Sequence, residues 1–409
     1  MQVLVIGGGA AGMMAALTAA RCGAEVTLFE KNDRMGKKLR ITGKGRCNVT
    51  NNCEITEFLS NVPTNPRFLY AALNRFSPQD TMRFFEDAGV PLKTERGKRV
   101  FPVSDHAGDI VAVLEKECRN AGVHVVHRRA ERLLTENGHV SGVVAGGETF
   151  LSDAVIVCTG GKSYPLTGSD GDGYRLARET GHTVTPLLPS LVPLTAEGRL
   201  CGALQGLSLR NIRLTVRDTA SGKAVYEDFG ELMFAHFGLT GPLILSASAH
   251  LSDICPGKYA AEIDLKPALD EKTLDARIRS DFEKFRNRDF GNALGELLPQ
   301  KMIPVFPGLC GIEMHKKVNS VTREERERMV HTLKCLRIPL HGTRPIEEAI
   351  VTRGGVSVRE VNPKTMESRL VAGLFFAGEL LDVDAYTGGF NLQIAFSTAR
   401  AAGTAAAEA

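Results

Sequence analysis

The sequence predicts an α/β protein in which one domain is built from both ends of the chain and an α+β domain is inserted between them. Three observations carry this. Val3-Leu4-Val5-Ile6 is a continuous apolar run ending in glycines, the pattern of a strand buried in a parallel sheet. A helix-forming Ala/Met/Leu stretch, Ala10 to Arg21, and a second strand, Glu25 to Glu30, complete a βαβ start. After Pro186 to Pro193 the texture turns to half-exposed alternation, and strands of the first kind return only from Pro345. The expected division is 1–190, 191–345 and 346–409, the first and last parts forming one Rossmann-like domain.

Along the chain, Gly122 to Val126, Val140 to Val144 and Ala154 to Cys158 read as further strands, the last stopping at Thr159-Gly160-Gly161. In the insert, Ile212, Leu214 and Val216 alternate with polar residues, and Tyr259 to Leu265 is similar. Asp270 to Arg288 and Thr322 to Leu336 read as charged amphipathic helices, with Thr322 and Glu325 at capping-box spacing. Ala349 to Val351, Val356 to Val361 and Leu374 to Ala377 are expected strands, and the Ala-rich tail from Ala401 a fraying helix end.

With 43% hydrophobic and 24% charged residues, the 409-residue chain has the balance of a globular protein with a proper core. A formal charge of +3 gives no overall design for nucleic acid, although a local patch stays open. The nine cysteines are scattered without any C-x-x-C, so neither a disulfide framework nor a zinc site is expected, and no metal is assigned. Unpaired thiols suit a reducing compartment, which places the protein in the cytoplasm. Val3 to Ala20 is uncharged but broken by glycines and lacks a positive flank, so it is expected as strand plus helix and not as a membrane span.

Gly7-x-Gly9-x-x-Gly12 joins the first strand to the first helix. These glycines permit a tight turn, close approach to a pyrophosphate, and close helix–strand packing. The free N–H groups and dipole of the helix start then hold phosphate. Glu30 stands where a carboxylate accepts hydrogen bonds from an adenosine ribose. A second contact region, needed by FAD and not by NAD, is supplied by Gly373 to Gln393 (GLFFAGELLDVDAYTGGFNLQ). There Glu379 could reach a ribityl hydroxyl, and Gly388-Gly389 opens a last helix whose N-terminus would favour an anionic flavin edge.

Thr42-Gly43-Lys44-Gly45-Arg46-Cys47-Asn48 resembles the signature of the HI0933-like flavoproteins, the YhiN/BaiN group of FAD-dependent oxidoreductases. So do TGGKSYPLTGSDGDGY from Thr159, FAHFGLTGP from Phe234, VTRGGV from Val351 and the C-terminal run. The likeness spans essentially the whole chain and is greatest to BaiN-type 3-dehydro-bile acid reductases. It implies a three-layer FAD-binding domain and an inserted cover domain containing a small β-barrel-like part. It also implies site residues. Gly7, Gly9, Ala11, Gly12 and Glu30 would hold the ADP half, and backbone at Ala130 would face the adenine. Thr159, Gly160 and Gly161 would pass the pyrophosphate. Arg40, Gly45, Arg46 and Asn48 would line the flavin side, and Gly378, Glu379, Gly389 and Asn391 would complete the ribityl and flavin contacts.

The cluster Lys37, Lys38, Arg40, Lys44 and Arg46 reads either as a cofactor cradle or as a patch for RNA phosphates. His236 is either a satisfied core group or a proton donor, and Tyr386 either packs or donates a proton. Cys47 could be a redox thiol, but no partner cysteine sits at useful spacing, Cys53 being the nearest in sequence. No second G-x-G-x-x-G occurs mid-chain, so NAD(P)H is expected only as a transient reductant. The expected activity is FAD-dependent reduction of an activated C=C bond in a small molecule, the resemblance suggesting a 3-oxo-Δ4,6 bile acid or steroid enone. An aminoacetone-oxidase-like activity, dihydrouridine formation in ribosomal RNA and a non-enzymatic flavin-binding role are the alternatives. Oligomeric state has no signal in the sequence.

Overall fold

The N-terminal apolar run becomes the central strand of a parallel sheet. In the computed structural model, which describes residues 1–409, β1 (Gln2–Ile6) lies between β2 (Glu25–Phe29) and the strand β4 (Ala154–Val157). The strand β3 (His124–Val126) extends the sheet beyond β2, and β5 (Leu374–Phe376) extends it beyond β4. All four residues of β4 and all three of β5 are fully buried, as a sheet covered on both faces requires. Because β5 comes from the C-terminal segment, the sheet is complete only when the chain returns.

Two helices, α1 (Ala10–Arg21) and α2 (Phe390–Ala406), pack together against this sheet. An antiparallel meander, Ala130–Glu136, His139–Ala145 and Glu148–Leu151, forms the third layer. It meets the sheet through an edge-to-face contact of Phe150 with Phe29, centroids 4.9 Å apart. No helix is long and apolar enough to cross a membrane.

Two local expectations are corrected. The alternating valines of 356–361 form no strand. The Val356 N–H donates to the Leu380 carbonyl, and the chain then turns into a short helix at Val358–Glu360. The Ala-rich tail does not fray: Ala401, Ala402 and Ala406 are buried, their small side chains letting α2 lie close to α1.

The chain divides into two compact units, Met1–Ser190 with Ile346–Ala409, and Leu191–Pro345. The second is a closed barrel in the order Leu194–Ala196, Gly238–Thr240, Ala224–Ala235, Ser208–Asp218, Tyr259–Asp264 and Leu336–Thr343. Alternate residues such as Leu214, Val216, Phe234 and Ile263 fill its core. Helices Glu271–Lys284 and Arg323–Lys334 add Leu274, Ile278, Met329 and Leu333 to that core. Thr322 and Glu325 form the capping box their spacing implies.

Candidate functional site

At the β1–α1 turn the packing is tight where the motif demands it and open where a ligand would lie. A Cβ on Gly12 would stand 1.7 Å from the Gly7 carbonyl oxygen, whereas one on Gly9 would meet nothing within 4 Å. Gly9 caps α1 without any side-chain acceptor, so the N–H groups of the first turn point into that open space. Ala11 lies against Gly378, where a Cβ would stand 2.8 Å from the alanine methyl. Glu30, 7% exposed just after β2, accepts hydrogen bonds from the Gly8 N–H at 2.9 Å and from Asn32 N and Nδ2 at 2.7 Å each. Its carboxylate therefore shapes the glycine turn itself. Ala130, buried, opens the meander strand that follows β3.

The Thr159–Gly161 turn follows β4, and Gly378-Glu379 follows β5. Glu379 is committed within the protein. Its carboxylate accepts from Lys38 Nζ at 2.8 Å, from Ser163 Oγ at 3.2 Å and from the Thr352 N–H at 2.9 Å. Lys38 also donates to Ser163 Oγ at 2.7 Å. A Cβ on Gly161 would stand 2.4 Å from Thr352 Oγ1, so this turn is pressed against the same network. Sequence reasoning placed Lys38 only in a general basic cluster. Nothing in sequence spacing ties Lys38 to a carboxylate far along the chain.

The Thr42–Asn48 loop has a committed part and a free part. The Arg46 guanidinium reaches Asp105 at 2.6 Å and Glu95 at 2.5 Å, and stacks over Phe101 at 4.2 Å. Asn391, at the start of α2, is likewise used internally: its amide accepts from the Ala385 N–H and donates to the Ala385 carbonyl, at 2.9 and 2.7 Å. Asn48 Oδ1 has no partner although buried. It faces Gly389, whose φ of +98° is open to glycine and where a Cβ would stand 2.2 Å from the Thr50 carbonyl oxygen. Gly45 faces open space.

Tyr386 follows the buried Asp384, whose Oδ2 accepts from Ser190 Oγ at 3.0 Å and whose Oδ1 has no partner. Burial, and then the Asp384 carboxylate, push the Tyr386 phenol above its ordinary value, against the pull of Arg353. His236 is not a core group. It is exposed at the turn between two barrel strands, and its ring meets Phe237 edge-on at 5.1 Å while Phe234 alone is buried. Cys47 and Cys53 are both free thiols, and burial pushes the Cys47 thiol up to about 12, which is unfavourable for thiolate chemistry.

Eight buried side-chain polar atoms form no hydrogen bond within the chain, two of them, on Arg128 and Asp281, being in ion pairs instead. Three of them, Arg40 Nε, Asn48 Oδ1 and Thr159 Oγ1, belong to residues the sequence assigns to a cofactor. Unpaired buried polar atoms are rare in native proteins, and these three suit a polar ligand laid from the Gly9 turn toward Gly389. Together with two uncapped helix starts, at α1 and α2, the donor and acceptor set suits an FAD.

Residues 1–405 match the HI0933-like protein Rossmann domain. The chain belongs to the HI0933-like family, and at that level it is a flavoprotein oxidoreductase. It is 33% identical over 413 residues to a 3-dehydro-bile acid delta(4,6)-reductase of Clostridium scindens, covering 100% of this chain and 99% of the relative. It is 31% identical over 401 residues to a ribosomal RNA dihydrouridine synthase of Escherichia coli, covering 97% and 96%. In fold it is similar to the 3-ketosteroid delta1-dehydrogenase of Sterolibacterium denitrificans, with a TM-score of 0.52, 13% identity and 99% coverage of both chains. Two residues of the candidate site had no signal of their own in the sequence: Asp384, which reads as one more acid in a turn, and Arg353, inside a motif whose glycines draw the attention.

Proposed function

We propose that this member of the HI0933-like family is an FAD-dependent reductase of a C=C bond conjugated to a carbonyl group. The observation that carries the reading is the set of orphaned atoms at Arg40, Asn48 and Thr159 beside two uncapped helix starts. The two relatives add the reaction class. A Δ4,6 reductase and a dihydrouridine synthase, as named, both saturate a carbon–carbon double bond next to a carbonyl.

Bound FAD supplies two-electron chemistry, accepting electrons from a transient NAD(P)H and delivering hydride to carbon. The chain's own residues bind and position. The N–H groups at Gly9 and the first turn of α1 hold phosphate, and the Thr159 backbone packs against Gly7, where a Cβ would stand 3.1 Å from its Cα. Asn48 Oδ1 and the uncapped start of α2 hold the far end. Tyr386, kept as a neutral phenol, carries the proton for the α-carbon of the substrate. His236, exposed in the inserted unit, is the alternative donor. The inserted unit is the proposed source of substrate selection, with a 3-oxo-Δ4,6 steroid acid as first candidate.

Anaerobic half-reactions test this. NAD(P)H should bleach the flavin and a conjugated enone should restore its colour. Tyr386→Phe or His236→Ala should slow the second step and spare the first, whichever residue is the donor. Colour restored only by ribosomal RNA would favour the second reading, uridine reduction, which the 31% identity to the synthase supports. Bleaching by an amine and recolouring by oxygen with peroxide would overturn the reductase assignment.

A further inference from the structure

We infer that Arg353 is the cation that holds the substrate's carbonyl oxygen while Tyr386 protonates the adjacent carbon, an assignment that rests on the reductase reading. Arg353 is partly buried, yet its guanidinium forms no hydrogen bond, ion pair or ring contact. Its guanidinium is committed to no other group of the chain and is therefore available to a ligand.

The surroundings fix its backbone. Arg353 ends the strand Val351–Arg353, which pairs antiparallel with Leu188–Ser190 in the register Ser190 to Val351 and Leu188 to Arg353. Ser190 Oγ then bonds Asp384, two residues before Tyr386. On the other side, Val356 N–H donates to the Leu380 carbonyl at 2.9 Å, and Asp382 N–H to the Val356 carbonyl at 3.0 Å. Between these ties a Cβ on Gly355 would stand 2.5 Å from the Leu380 carbonyl oxygen, so the chain leaves Arg353 with no slack. The strand is thus stitched to the Leu380–Tyr386 segment at both ends.

The other members of the motif are occupied. Thr352 gives its N–H to Glu379 and its Oγ1 accepts from the Lys162 N–H. Only the guanidinium is left over. Its charge opposes the effect of burial at Tyr386 and at Asp382, while it forms no ion pair with Asp382 or Asp384.

In a conjugated carbonyl the α-carbon is bonded to the carbonyl carbon, so a cation beside the proton donor is well placed for the oxygen. Hydride addition at the β-carbon moves the C=C electron pair toward that oxygen. The guanidinium donates two N–H bonds to the developing enolate and keeps its own protons. The Tyr386 O–H bond then breaks, its proton goes to the α-carbon, the C=O bond re-forms, and solvent reprotonates the phenolate. Both electrons come from NAD(P)H through the flavin.

The test is equilibrium binding, read separately from turnover. The FAD-loaded protein is titrated with para-nitrophenolate, an enolate mimic, and with neutral para-nitroanisole, followed by calorimetry. Wild type should prefer the anion by about 10- to 100-fold, the worth of a charge-assisted pair. Arg353→Gln should abolish that preference without changing anisole binding or the thermal unfolding midpoint, and Arg353→Lys should retain part of it. A wild type without preference, or an Arg353→Gln variant that keeps it, overturns the assignment. If the preference behaves as expected and no enone restores the flavin colour, the anion site stands and the reductase reading falls. If enones restore the colour and the preference survives Arg353→Gln, the reductase stands and Arg353 falls.

Discussion

Replacing Glu30 with Ala should do two things at once, because the carboxylate is both a candidate ribose acceptor and a structural acceptor. Its Oε2 takes the Gly8 N–H and its Oε1 takes two bonds from Asn32, with Glu30 only 7% exposed. In the variant the Gly8 N–H loses its acceptor, at about 1–3 kcal/mol for a buried donor. Asn32, on the more exposed side, can turn its bonds to water and adds little. The expected destabilisation of the apoprotein is therefore about 2 kcal/mol, or roughly 4–8 °C in unfolding midpoint for a unit of this size. FAD affinity should fall by a further 1–3 kcal/mol, about 5- to 150-fold, through the lost ribose contact. Glu30→Gln, which keeps an acceptor for Gly8, should recover most of the stability and little of the affinity. The apoprotein is followed by thermal circular dichroism, and FAD binding by quenching of flavin fluorescence. An alanine variant with the wild-type midpoint would refute the structural half of this argument, and one with wild-type FAD affinity would refute the other half.

Three more outcomes are expected. Gly12→Ala puts a methyl 1.7 Å from a backbone oxygen that cannot move without unseating the β1–α1 turn, so purified protein should retain little FAD per chain, measured by absorbance ratio. Cys47, with burial pushing its thiol up to about 12 against a weaker opposing hydrogen bond from Thr42, should resist iodoacetamide near pH 8 while exposed Cys22 and Cys255 react, as peptide mapping would show. Burial pushes Asp172 up, but the bonds from Arg129 and Lys31 outweigh it and hold the carboxyl below the ordinary 3.8. A carboxyl lowered on folding adds stability above its unfolded pKa and loses it as pH falls through the lowered one. Replacing both cations by Gln should therefore lower stability at pH 6 and flatten its decline below pH 4, in denaturant titrations at a series of pH values.

The parts of the fold that periodicity alone specifies were legible in the sequence. Val3-Leu4-Val5-Ile6 had to be a fully covered strand, and the alternation at Ile212, Leu214 and Val216 had to be a strand with one wet face. Closure of the barrel was not legible from pattern, since it depends on Leu194–Ala196 pairing with Leu336–Thr343 across the whole insert. The same limit applies at the site. The turn glycines were readable because their constraint is local, whereas the partners of Arg46 and Glu379 are fixed by tertiary neighbours that no spacing rule reaches. His236 illustrates the opposite failure. Its apolar neighbours suggested a core position, but a residue at a strand-to-strand turn is turned outward whatever flanks it.

A division of labour inside each motif follows from these commitments. In the Thr42–Asn48 run, Arg46 is held by two carboxylates and Cys47 is sealed in the core, so Asn48 is the polar side chain with an unanswered buried atom. In the turn after β4, the glycines press against Ser169 and Thr352, and the Thr159 hydroxyl is left over. In Val351–Val356 the glycines and Thr352 serve the backbone, and the Arg353 guanidinium remains. A side chain that the fold does not use, in a run whose other members it uses fully, is difficult to explain by stability. It contributes nothing to folding that a smaller or less polar residue would not, and the unpaired buried atoms of Asn48 and Thr159 each cost about 1–3 kcal/mol. The three leftovers come from three separate segments: Thr159 follows the carboxyl edge of the parallel sheet at β4, Asn48 faces Gly389 at the start of α2, and Arg353 ends a strand of the two-stranded sheet. In open α/β sheets that edge is where ligands bind. The residues to change first, when searching for binding and chemistry in this protein, are therefore Asn48, Thr159 and Arg353, ahead of the charged residues that merely look more reactive.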